Sequence, residues 1–98
     1  KSGGIYGALE LAHVAQAAGI GLYGGTLLEG TIGTAASLHT WATLPTMTWG
    51  TEMFGPLLLT DDIVIEPLHY TEFGVALPQG PGLGISLDED KLTYYARK

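Results

Sequence analysis

Apolar residues recur at helical spacing after the Gly3-Gly4 turn. Ile5, Leu9, Ala12 and then Ala15 or Gln16 fall on one face, which predicts a helix over Ile5–Ala18. Gly19 is placed to end it in a left-handed conformation. Ile20-Gly21-Leu22-Tyr23 reads as a short strand, and Gly24 to Gly30 as a glycine-bounded loop. A second helix is predicted over Thr31–Thr43, with Ile32, Ala35, Ala36, His39 and Ala42 on its buried face and Pro45 closing it. Met47 to Glu52 then alternates as a strand. Met47, Trp49 and Thr51 would pack on helices, while Thr48, Gly50 and Glu52 would face a crowded interior. Helix, strand, helix, strand with short turns is the rhythm of a parallel sheet covered by helices.

The pattern changes after Pro56. Pro56 to Leu59 is apolar, Asp61-Asp62 begins a polar turn, and Ile63-Val64-Ile65 reads as a short strand or a helical turn. Tyr70 to Leu77 alternates weakly, as one strand would. Pro78 to Gly84 can hold no regular structure. Asp88 is placed to cap a last helix ending near Arg97, with Leu92 and Tyr95 as its apolar contacts.

Composition narrows the class. The 98 residues are 46% hydrophobic and only 14% charged, against about a quarter charged in an ordinary domain. So little charge implies a segment that is part of something larger, covered on several sides. The net charge of −6 argues against nucleic acid or an anionic membrane as partner. The chain has no cysteine, so thiol and disulfide chemistry are excluded within it. No run reaches about 18 apolar residues, and the expectation is a soluble cytoplasmic protein.

One acid stands apart. Glu52 is the sole ionised side chain between Gly30 and Thr60. Two readings are open: a loop acid facing solvent, or a carboxyl group at the catalytic end of a strand, able to hold or move a proton. Gly24-Gly25-Thr26 could present N–H groups to an anion, but it has no phosphate-loop spacing, and tight-turn geometry is the plainer explanation. Glu29 sits near a helix start, in a structural or supporting position. His13, His39 and His69 are scattered, so no local metal site is expected, and His39 reads as a hydrogen-bonded core residue. Asp61-Asp62 and Asp88-Glu89-Asp90 read as solvated turns and a helix start.

Two stretches carry a family resemblance. Ala18-Gly-Ile-Gly-Leu-Tyr-Gly-Gly-Thr-Leu-Leu-Glu-Gly30 and Thr48-Trp-Gly-Thr-Glu-Met-Phe-Gly-Pro-Leu-Leu-Leu59 closely resemble the carboxy-terminal part of muconate and chloromuconate cycloisomerases of the enolase superfamily. Pro81-Gly-Leu-Gly84 and Leu87-Asp-Glu-Asp-Lys-Leu92 resemble the family's ending. The Thr26–Thr31 and Gly50–Phe54 wording leans slightly towards the chloromuconate branch.

The resemblance implies an α/β fold: the carboxy-terminal portion of a modified (β/α)7β barrel, with a tail returning to an amino-terminal capping domain. Residues 1–55 would be the last helix–strand units of the barrel and 56–98 the tail. A whole barrel takes about 250 residues. The implied reaction is lactone formation from cis,cis-muconate or a chlorinated relative through a metal-stabilised enolate, in the breakdown of aromatic compounds. Mn2+ or Mg2+ would be held by acids outside this sequence, and no metal ligand is assigned within it. Lys1 matches the second lysine of the family's Lys-x-x-Lys-x-Gly-Gly pattern and not the catalytic first one.

Glu52 matches the family's catalytic strand-eight glutamate. Gly25, Thr26, Leu27 and Phe54 match positions near the substrate. The implied partners are a small dicarboxylate, the rest of the same chain and further copies in a homo-oligomer such as an octamer. The rival expectations are an acylamino acid racemase or dipeptide epimerase of the same superfamily, and a non-catalytic interaction module.

Overall fold

Alanine and leucine are strong helix formers, and the run after Gly4 forms helix α1, Ile5–Ala17. The computed structural model describes residues 1–97. Ala12 is the residue α1 buries, with Leu9 and Ala15 half-buried on the expected face. Gly19 ends the helix at φ +69°, as expected. The N–H of Ile20 turns back to the Ala15 carbonyl at 2.9 Å. Ile20 therefore closes the helix instead of opening a strand. The expected strand Ile20–Tyr23 is displaced, and β1 is Gly24–Gly25.

Helix α2, Thr31–Ala42, and strand β2, Thr51–Glu52, follow. β1 and β2 pair in parallel, Gly24 with Thr51 and Gly25 with Glu52. The ladder of N–H to carbonyl bonds is longer than the two strands: Trp49 to Leu22 at 2.9 Å, Gly24 to Gly50 at 3.1 Å, and Thr26 to Glu52 at 3.2 Å. The expected strand Met47–Glu52 is shortened by a turn in which the Gly50 N–H meets the Met47 carbonyl at 3.0 Å, with Gly50 at φ +75°. That turn breaks the alternation. Met47 is half-buried, but Trp49 and Thr51 are exposed and do not pack on helices.

The buried face of α2 also differs from expectation. It carries Thr31, Thr34, Ala35, Leu38 and Thr40, while Ile32 and Ala42 are exposed. Threonine can be buried when its hydroxyl finds a backbone acceptor. Thr34 donates to the Glu29 carbonyl at 3.3 Å and Thr40 to the Ala36 carbonyl at 2.7 Å. His39 is half-buried and its Nε2–H meets the Leu83 carbonyl at 2.8 Å, fastening α2 to the Pro/Gly-rich loop. The core proper is small: Ala12, Ala35, Leu38, Leu44, Met53, Val64 and Leu68.

The remaining elements are a single turn α3, Gly55–Leu58; a hairpin of β3, Tyr70–Thr71, and β4, Gly74–Val75; and helix α4, Glu89–Tyr95. The hairpin replaces the single strand expected over Tyr70–Leu77. Thr71 Oγ1 accepts from the Phe73 N–H at 3.3 Å and donates to the Gly74 carbonyl at 3.2 Å, folding the chain back. Val64 makes an isolated antiparallel bridge to Leu87 between bends at Ile63 and Ile65, so Ile63–Ile65 is neither a full strand nor a helical turn. Asp88 caps α4 as expected, accepting from the Lys91 N–H at 3.1 Å. The helix stops at Tyr95, short of Arg97, and Leu92 and Tyr95 remain exposed.

Neither aspartate of the Asp61-Asp62 turn is merely solvated. Helix α2 starts at Gly30, which has no side chain to cap it. Asp62 serves instead, accepting from the fully buried Thr31 N–H at 2.7 Å. Asp61 accepts from Lys91 Nζ at 2.6 Å and from the Tyr95 hydroxyl at 3.0 Å.

Asp62→Ala strands the Thr31 N–H and should lower stability by about 1–3 kcal/mol, whereas Asp62→Asn keeps an acceptor and should lose less; denaturant melts of the complete protein compare the two. The Lys91 ammonium, then the Tyr95 hydroxyl, hold the Asp61 carboxyl below its ordinary range, and Asp61 in turn raises Lys91. A depressed acid stabilises above its unfolded pKa and loses this as pH falls through its folded value; a raised lysine stabilises below its unfolded pKa and loses this as pH rises through its folded value. The attachment of α4 should therefore hold between about pH 4 and pH 10 and weaken outside it. Amide exchange across residues 89–95 reads this directly, and Asp61→Asn should flatten the dependence.

Candidate active site

The parallel ladder gives its two faces different surroundings. Residues two apart in a strand share a face. Leu22, Gly24 and Thr26 turn towards the helices, and Tyr23 and Gly25 turn the other way, with Glu52 in register beside Gly25. On the helix side the fit is tight. A Cβ on Gly24 would lie 2.8 Å from Trp41 Nε1 and 2.9 Å from Met47 Cε. The indole N–H of Trp41 is buried there with no hydrogen-bond partner among the described residues. Thr26 is buried and its hydroxyl donates to the Glu52 carbonyl at 3.2 Å, alongside the bond from its own N–H. Thr26 thus fixes the backbone from which Glu52 projects.

The opposite face is open. Glu52 is exposed, and a Cβ on Gly25 would meet only Tyr23 Cε1 at 3.6 Å and Glu52 Oε1 at 3.7 Å. The Tyr23 phenol is pushed above its ordinary value, by partial desolvation first and then by the nearby Glu52 carboxylate. The structure therefore brings Gly25, Thr26 and Glu52 together. Leu27 follows directly and is 74% exposed, its N–H held by the Glu29 carboxylate. Phe54 lines a separate groove with Met53, Leu57, Tyr70 and Val75, which Glu52 does not reach. Tyr23 was missed by the sequence reading. Its signal was its position two residues before Gly25, hence on the face of Glu52. Among the described residues, no three His, Asp or Glu side chains gather closely enough to hold a metal ion. No helix among them is long and apolar enough to cross a membrane.

Residues 1–91 match the family model of enolase C-terminal domain-like proteins. The chain belongs to the enolase C-terminal domain-like family. Muconate cycloisomerase 1 of Pseudomonas putida is 56% identical over 98 residues, all of this chain and 26% of the relative. Chloromuconate cycloisomerase CbnB of Cupriavidus necator is 50% identical over 95 residues, 97% of this chain and 26% of the relative. The crystal structure of muconate lactonizing enzyme from Klebsiella pneumoniae superposes with a TM-score of 0.94 at 68% identity, covering 99% of this chain and 27% of that one. The chain thus spans about a quarter of the length of the curated relatives it matches. The expected fold class, the carboxy-terminal portion of the enolase-superfamily α/β barrel, is borne out.

The two neighbouring glycines of this family member should respond differently to a methyl group. Gly24→Ala forces Trp41 and Met47 aside and should cost about 1–3 kcal/mol. Gly25→Ala meets only ordinary contacts and should change stability by less than about 1 kcal/mol. Thermal melts of the complete protein carrying each change test the contrast.

Proposed function

We propose that this chain is the carboxy-terminal part of a cycloisomerase that closes cis,cis-muconate, or a chlorinated relative, into a lactone, and that Glu52 is its catalytic residue within this segment. The observation that carries the reading is the placing of Glu52: at the end of a parallel strand, in register with Gly25, on the face that the helices leave open. Ends of this kind are where barrel enzymes build their sites. The matched relatives are named cycloisomerases, which supports this reading over a racemase, an epimerase or a non-catalytic module. The identities, 56% with the muconate enzyme and 50% with the chloromuconate one, incline it towards unchlorinated muconate, against the slight lean of the motif wording.

In the reaction, one carboxylate oxygen of the substrate forms a C–O bond to a carbon of the double bond. The displaced electron pair moves onto the conjugated second carboxylate as an enolate-like anion, and a proton then adds at the carbon between. Glu52 would hold or move a proton at this reacting end. Gly25 and Leu27 would border the dicarboxylate beside it, while Thr26 would act by fixing the backbone of Glu52 and Phe54 lies in the separate groove. The described residues do not form a donor set for Mn2+ or Mg2+; the ligands of such a metal would lie elsewhere in the protein.

The same reading makes residues 1–55 the close of the barrel and 56–98 the tail reaching a capping domain; Lys98 lies outside the described residues. It includes a cytoplasmic protein that assembles as a homo-oligomer. The apolar side chains left exposed, among them Ile20, Leu27, Trp49 and Phe73, support burial against the rest of the chain and its copies.

Glu52→Gln in the complete protein should lower lactone formation on the order of 10²-fold, followed by the loss of the diene's ultraviolet absorbance. Turnover at the unaltered rate would take Glu52 out of the mechanism.

A further inference from the structure

Glu52 has a long, flexible side chain and stands exposed at the end of a short strand. A group that must meet a reacting atom needs its rotamer held. Among the described residues Tyr23 is placed to hold it. Tyr23 and Gly25 share a face, and Gly25 is in register with Glu52. The point a Cβ would occupy on Gly25 is 3.6 Å from the Tyr23 ring and 3.7 Å from a Glu52 carboxylate oxygen. Because Gly25 leaves that space empty, the Tyr23 ring and the Glu52 carboxylate both border the same open point.

We propose that Tyr23 is a positioning residue for Glu52, its hydroxyl donating to the carboxylate and fixing the orientation from which Glu52 acts. The proposal rests on the catalytic reading of Glu52. The raised phenol supports it, since part of the rise comes from the nearby Glu52 carboxylate. A phenol so held stays protonated, and remains a donor, throughout the neutral range. The arrangement also gives Gly25 a purpose: a larger side chain there would part the two groups.

The test uses the complete protein. Tyr23→Phe keeps the ring and removes the donor. It should lower kcat about tenfold while KM and the melting temperature stay near the unaltered values. Independently of substrate, the Tyr23 phenol can be titrated by NMR with ring-labelled tyrosine, its signal assigned by its loss in Tyr23→Phe; Glu52→Gln should move that titration to lower pH. An unaltered kcat in Tyr23→Phe, or a Tyr23 titration indifferent to Glu52→Gln, overturns the positioning role. If muconate is not consumed by the unaltered protein while the titration still responds to Glu52, the cycloisomerase reading fails and the pairing stands. If muconate is turned over but Tyr23→Phe is silent, the reverse holds.

Discussion

The structure depends on a parallel pairing of Leu22–Thr26 with Trp49–Glu52. Two parallel strands cannot be joined by a tight turn; they need a crossover of a dozen or more residues, usually a helix. α2 is that crossover. The pairing sorts the side chains. Gly24 and Thr26 are committed to the helix side, where Trp41 and Met47 leave no room for a methyl group. Tyr23, Gly25 and Glu52 are committed to the other side. One register thus creates both a packed layer and an open chemical face.

That asymmetry accounts for the odd composition. A parallel sheet is ordinarily covered on both faces, and here one face packs on Trp41 of α2 and on Met47 while the other is open. Many large apolar side chains are more than a third exposed, and Phe73 and Trp49 are 94% and 74% exposed. The low fraction of charged residues fits a segment whose surface is meant for contact with other protein.

Much of this was legible in the residues. Helical periodicity and the flanking glycines marked α1 and α2, and Asp88 marked the start of α4. The lone carboxylate drew notice to Glu52, and the resemblance placed Gly25 and Thr26 beside it. Other features were not legible, for identifiable reasons. The strands were misplaced because hydrophobicity does not show where a helix-closing motif ends or where Gly50 turns the chain. The buried face of α2 was misread because threonine counts as polar until its hydroxyl finds a carbonyl. Tyr70–Val75 read as one strand because the Thr71 side chain that folds it makes local bonds no periodicity reports. Asp62 was passed over because its partner lies 31 positions away in sequence.

That last contact has a consequence for how this protein can be divided. A cut at residue 55 separates strands from tail on paper, yet the first hydrogen bond of α2 is completed by a carboxylate from beyond the cut. The crossover helix is therefore finished only when the tail has arrived. During synthesis the strand bearing Glu52 emerges before Asp62 does, so the cap on α2 is completed after that strand. A recombinant joining the first 55 residues of one relative to the tail of another inherits this dependence. Such a junction keeps the cap on α2 only where the incoming segment offers an acceptor to the Thr31 N–H.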